Sequence, residues 1–192
     1  KSGGSYSGAA SITQDGVTIL GNGATWTERT AGHTFTISGS DVTIKDIKTA
    51  GVHDGTAASM TAYSFYNVTG HNCKIVSPTF EHLQGYDITF SGVVGGYVYD
   101  ITSVNGGTDP GDNYRTRYRV YLNGGCDGVQ IVGGEISGAS QGAGFWGASN
   151  CIVAMVRGID NYGYEDAAGS PLARSFIEDY GAATGQRNNQ VV

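Results

Sequence analysis

The chain has 192 residues, enough for one domain with a core of its own, and its net charge of −6 argues against a nucleic-acid partner. Glycine supplies 32 residues, more than twice the usual share of roughly 7 %, whereas proline supplies 3, which excludes collagen and proline-rich linkers. Charged residues are only 15 % and long runs of Ala, Leu, Glu and Lys are missing, so the composition favours β-structure with many tight turns over a helical bundle.

Taken in order, six segments repeat one plan. Ser11-ITQDGVTILGNGATW is a weak first copy. Five clearer copies begin at Phe35, Phe65, Phe90, Tyr121 and Phe145. Each has an apolar or aromatic strand, a turn of small residues, then Asp, Asn or Gly, then alternating apolar residues. Asp41, Asn72, Gly96, Gly128 and Asn150 are assigned to one turn position, at steps of 31, 24, 32 and 22 residues. A coil of about 22–25 residues, sometimes carrying a loop, accounts for all four steps. Asp, Asn and Gly recur there because a sharp turn between strands needs a positive φ.

Period-2 alternation after that turn sends Val42 and Ile44, Cys73 and Ile75, Tyr97 and Tyr99, Val129 and Ile131, and Cys151 and Val153 inward. Stacked coils would place these in vertical columns. Cys73 and Cys151 then read as small buried hydrophobes beside Val42 and Val129, and Cys126 as a turn residue. Three widely spaced cysteines suggest neither a disulfide framework nor a zinc site, and no metal or other cofactor is expected. Trp146 beside Phe145 reads as core, and Trp26 as core or a stacking platform. Ser170-Pro171 has the form of a helix start, so a short helix is expected in a region, about 164–187, that breaks the repeat. The expected fold is all-β: one domain over 1–192, a single-stranded right-handed parallel β-helix with clear coils over about 11–163. The Gly/Ser stretch after Lys1 and the apolar Val191–Val192 suggest a piece of a longer chain.

The repeated strand, turn, Asp or Asn, and alternation resemble the parallel β-helix repeat of the pectate-lyase-like superfamily. Within it the Gly/Ser/Tyr-rich composition and uneven coil lengths are most similar to bacteriophage tailspike and tail-fibre polysaccharide depolymerases. That resemblance implies a homotrimer, a place on the virion tail, and binding and cleavage of a bacterial surface polysaccharide such as capsule or O-antigen. The calcium-binding aspartate cluster of pectate lyases and the Asn-Thr-Asp and Gly-His-Gly signatures of polygalacturonases are absent, so pectin chemistry is disfavoured. A non-catalytic glycan-binding shaft and a secreted polysaccharide lyase or epimerase are the alternatives.

Counting from the turn assigns Lys48, Thr79, Ser103, Glu135 and Arg157 to one outward column, and Ala50, Glu81, Asn105 and Ser137 to the next. Glu81 and Glu135 then share one wall, at the spacing an acid and a base need to hydrolyse a glycosidic bond with inversion. Arg157 would hold an anionic sugar or keep Glu135 ionised. The plainer reading is a surface ion pair. In the insertion after Gly106, Tyr114, Arg115, Arg117, Tyr118 and Arg119 interleave rings and guanidinium groups. That mixture suits stacking on sugars and gripping carboxylates, or else pairing of arginines with acidic neighbours. Asp160 to Asp166, His53-Asp54 and Glu81-His82 are loop candidates of the same kind. Outward Val76, Ile101, Val132 and Met155 suggest an association face. No apolar run reaches the length of a membrane span, so no membrane insertion is expected.

Overall fold

A computed structural model describes residues 3–29, 31–51, 63–81, 83, 85–104, 118–137, 141–159, 164–165, 171–172, 177–180 and 189–192. Every regular element among them is a strand. One parallel sheet runs in the order β1 (Ser5–Tyr6), β3 (Thr18–Thr27), β5 (Thr43–Ala50), β7 (Lys74–Val76), β10 (Tyr97–Val104), β12 (Gln130–Ser137), β14 (Ile152–Ala154) and β19 (Gln190–Val191), with β8 (Thr79–Glu81) and β15 (Arg157–Ile159) extending β7 and β14. The second runs through β2 (Ala10–Ile12), β4 (Phe35–Ile37), β6 (Ser64–Val68), β9 (Tyr86–Ser91), β11 (Tyr118–Asn123), β13 (Gln141–Trp146) and β18 (Ile177–Tyr180). The chain alternates between the sheets, so neighbours within a sheet are one strand of the other sheet apart in sequence. Each pair of consecutive strands forms a tier, and tiers join by parallel pairing.

Two corners set the shape of each tier. At the first, Gly16, Asp41, Asn72, Gly95, Gly128 and Asn150 all have φ between 53° and 71°. Their backbone N–H groups link tier to tier: Asp41 donates to His71 O, Asn72 to Val94 O and Gly95 to Asp127 O. At the second, Asp46, Ser77, Asp100, Gly133 and Met155 have φ between 47° and 72° and stand in register. One left-handed residue per tier bends each strand of the first sheet midway, and this second corner was not anticipated.

Between the sheets lies one apolar core. Val42, Cys73, Val129 and Cys151 are fully buried in one column, followed by Ile44, Ile75, Val98, Ile131 and Val153. From the second sheet come Ile12, Ile37, Val68, Phe90, Leu122 and Phe145, each paired with the next. Each such side chain contributes about 1.5–3 kcal/mol when fully buried. The three thiols are free and buried, and each donates to a backbone carbonyl: Cys73 to Gly39, Cys126 to Asn123 and Cys151 to Ser149.

Several expectations are corrected. The turn residue of the fourth repeat is Gly95, not Gly96. Gly96 points inward, where the Phe90 ring and Val93 fill the space a side chain would need. That one-residue shift turns Tyr97 and Tyr99 outward, places Val98 in the core, and buries Ser103 and Ile101. Trp146 is exposed at the end of β13, whereas Trp26 is partly buried, packed edge-on against Phe35, with its indole N–H donating to Gly8 O. Pro171 lies in a short strand, β17 (Pro171–Leu172), antiparallel to β16 (Tyr164–Glu165), rather than at a helix start. The region expected to break the repeat also supplies β18, which pairs in parallel with β13.

Candidate functional site

The outer face of the first sheet carries the densest set of chemistry-bearing side chains among the described residues. Alternation and register place Thr43, Lys74, Tyr97 and Gln130 in one outward column, and Lys45, Val76, Tyr99 and Val132 in the next. Beyond the second corner, Lys48, Thr79, Thr102, Glu135 and Arg157 form a third column, and Glu81, Val104 and Ser137 a fourth. Thr102 therefore stands where Ser103 was expected, and Val104 where Asn105 was expected.

Two open depressions interrupt this wall. One, of about 280 Å³, is lined by Gly23, Asp46, Lys48, Ser77, Thr79, Asp100 and Thr102. The other, of about 270 Å³, is lined by Asp41, Thr43, Asn72, Lys74 and Tyr97. Glu135 and Arg157 continue the column that borders the larger one. Their side chains are 43 % and 74 % exposed, and Arg157 Nη1 lies 3.9 Å from Glu135 Oε2. A solvated pair at that distance contributes about 0–1 kcal/mol to stability.

Glu81 and Glu135 lie two tiers and two residues apart, roughly 12 Å between backbones at the usual strand spacing. Asp100 is nearer. It sits at the second corner, one tier and two residues from Glu135, or roughly 8 Å between backbones. Sequence counting missed Asp100 because it falls within what reads as one straight strand. The available signal was a recurring Asp or Ser five residues after the first turn, at Asp46, Ser77 and Asp100.

The predicted rim divides differently. Asn105, Tyr114, Arg115 and Arg117 lie outside the described residues, as do His53, Asp54, His82, Asp160 and Asp166. Tyr118 opens β11. Arg119 does not reach solvent: it is fully buried, and its Nη1 donates to Asp87 Oδ1 at 3.2 Å. Phe65, Asp87 and Arg119 occupy equivalent positions in successive tiers, so an acid and a base replace an aromatic ring in the interior. Burial pushes the Asp87 carboxyl up to about 6; Arg119 and Ser103 oppose that shift, and the Glu28 charge adds to it. Among the described residues Asp87 Oδ2 and Arg119 Nε and Nη2 have no hydrogen-bond partner, and neither does the buried Tyr66 hydroxyl. Glu28 Oε1 accepts from Gly85 N–H, and Ser64 Oγ and Thr89 Oγ1 share a hydrogen bond of 2.5 Å. This interior polar group lies where the first sheet hands over to the second, beside the strand that follows the 105–117 insertion.

Among the described residues no group of three or more His, Cys, Asp or Glu side chains could hold a metal ion, and no helix is long and apolar enough to cross a membrane. No protein-family model, curated protein or solved structure matches the chain.

Proposed function

We propose that the chain winds as a right-handed parallel β-helix, and that its outward wall binds and cleaves a bacterial surface polysaccharide in the manner of a tailspike receptor-binding domain. The handedness follows from the near-universal right-handedness of crossovers between parallel strands. The observation that carries the function is the wall itself: two polar depressions, a parallel tyrosine pair, and carboxylates on neighbouring tiers form one continuous surface. Planar rings stack on the apolar faces of sugars, and carboxylates and lysines bond their hydroxyls and charged groups.

For cleavage, one carboxyl donates a proton to the leaving glycosidic oxygen while the other activates a water on the opposite face, at a separation of about 6.5–9.5 Å. Asp100 and Glu135 fall within that span by backbone spacing. Glu81 and Glu135 reach it when their side chains lean together. Arg157, beside Glu135, favours its ionised form. The 105–117 insertion, with Tyr114, Arg115 and Arg117, is placed on the same reading at the sugar-binding rim. Release of reducing ends from acidic and neutral capsules and O-antigens tests cleavage. Glu135→Gln is expected to lose activity by about 10²-fold or more, with Asp100→Asn or Glu81→Gln matching it and identifying the partner. Equal activity in all three variants removes the hydrolytic reading, and an unsaturated product would instead mark a lyase.

A second reading has its own support. Val76, Tyr99, Val132 and Ala154 form a largely apolar stripe along the wall, with Met155 exposed beside it and Lys45 separating it from Leu20. A stripe of that kind fits a shaft that associates along its length, as in a homotrimer. Light scattering separates the two, because a monomer at high concentration leaves the stripe free for ligand.

A further inference from the structure

The wall is not chemically uniform, and its lysines are concentrated. The chain has four lysines, and three of them, Lys45, Lys48 and Lys74, lie exposed on the outer face of this one sheet. Among the described residues none of the three belongs to an ion pair. In a protein of net charge −6, these three ammonium groups stand among the acids of the same wall, Asp41, Asp46, Asp100, Glu81 and Glu135.

Lys45 and Lys74 are one tier and two residues apart, roughly 8 Å between backbones. The Lys74 ammonium stands over the Tyr97 ring, 5.9 Å from its centroid, and the Tyr97 and Tyr99 rings are parallel within 5° at 5.8 Å. The smaller depression is lined by Lys74 and Tyr97, together with Thr43 and the corner residues Asp41 and Asn72. Both hold left-handed backbone at the first corner, with φ of 57° and 54°, where three other tiers use glycine. Side chains are therefore kept at the two corner positions that border the depression. Asp41 lies at the first corner and Asp46 and Asp100 at the second, with Lys45 and Lys74 between the corners, so negative charge in a ligand is met between them and hydroxyl groups at the rim.

We infer that the depression lined by Lys74 and Tyr97, with Lys45 in the neighbouring outward column, is a subsite for an acid-bearing sugar residue, such as a uronate, of the polysaccharide that the wall binds. The Tyr97 face packs on the sugar ring, the two ammonium groups take its carboxylate, and Asp41 and Asn72 accept its hydroxyls. This assignment rests on the glycan reading and narrows it to anionic polymers.

The test is binding of the intact chain to immobilised acidic and neutral bacterial capsular polysaccharides, together with carboxyl-reduced copies of any acidic one bound. The wild type is expected to prefer acidic polymers and to lose at least tenfold on carboxyl reduction. The Lys45→Gln/Lys74→Gln double variant should bind acidic and reduced polymers alike, and Tyr97→Leu should weaken both at least tenfold. Asn67→Ala, on the outer face of the other sheet, should bind as the wild type does. All four sites are at the surface, and an unchanged thermal midpoint shows that folding is intact. Wild-type affinity in the lysine and tyrosine variants overturns the subsite but leaves the glycan reading standing, as does equal binding of reduced and native polymer by the wild type. Binding to no polysaccharide at all overturns both.

Discussion

Replacing Asp87 and Arg119 one at a time should produce unequal losses, because the two ions have unequal escapes. At 3.2 Å, with an effective dielectric constant of about 20, the pair attracts by about 5 kcal/mol. Asp87→Leu strands a guanidinium that cannot lose its proton, at a cost of about 3–5 kcal/mol. Arg119→Met strands a carboxylate that can take one up. Holding that proton at pH 7 costs about 4 kcal/mol, at 1.36 kcal/mol for each pH unit above an ordinary value of 3.8. The wild type already forgoes about 3 kcal/mol there, since its Asp87 is raised to about 6, so the additional loss is about 1–2 kcal/mol. The double variant Asp87→Leu/Arg119→Met should recover to within about 1 kcal/mol of the wild type, or exceed it. The pH dependence has a definite sign. The folded value is raised, so the contribution of Asp87 is complete below about pH 3.8 and lost as pH rises through about 6. Urea midpoints should therefore show the deficit of Asp87→Leu growing by about 2 kcal/mol between pH 7 and pH 4. A deficit that is flat over that range would refute the raised Asp87 value, and an Arg119→Met variant weaker than Asp87→Leu would refute the unequal escape of the two ions.

Gly70→Ala should lower the thermal midpoint sharply and reduce soluble yield. The added Cβ would run into the Gly39 carbonyl of the next tier, an overpacking worth about 1–3 kcal/mol. The thiols of Cys73, Cys126 and Cys151 should resist a disulfide reagent in the native protein and react in denaturant, since burial raises all three, Cys151 to about 11. Met155→Asn should raise the urea midpoint by about 1 kcal/mol in stability, because an exposed methionine is held at φ 55° where asparagine is at ease. His33 Nδ1 accepts from Ser64 N–H and burial holds the ring below its ordinary value of 6.5; its contribution is present above pH 6.5 and lost as pH falls below it, which a ring-proton titration should register as a midpoint under 6.5.

The columns were legible in the sequence wherever one residue type made the turn unambiguous. Asp41, Asn72, Gly128 and Asn150 each stand alone as turn formers, and Val42, Cys73, Val129 and Cys151 after them fall in one buried column. The dipeptide Gly95-Gly96 offered two equally good turn residues, and pattern alone could not choose between them. Because strand periodicity is two, that single ambiguity inverted Tyr97, Val98 and Tyr99 and moved Ser103 and Asn105 onto the wall. Val98 between two tyrosines was the internal clue. A half-buried strand that presents its aliphatic residue inward also presents both rings outward.

Asp100 and Arg119 were hidden for a different reason. Each gains its meaning from a neighbour about 32–35 residues away, through a local break in alternation. The left-handed residue at the second corner turns what reads as one straight strand into two segments at an angle, where the buried positions step from Val98 to Ile101 and Asp100 reaches the wall near Glu135. Arg119 looks like one of three arginines on a polar face until β11 is registered on β9 and β6. The register then sets it in line with Asp87 and Phe65, inside the protein. A position that holds an aromatic ring in one tier, a carboxylate in the next and a guanidinium in the one after can be filled in all three only if the two ions meet each other. A buried pair is thus the one arrangement in which that column closes, and it ties the strand after the 105–117 insertion to the core.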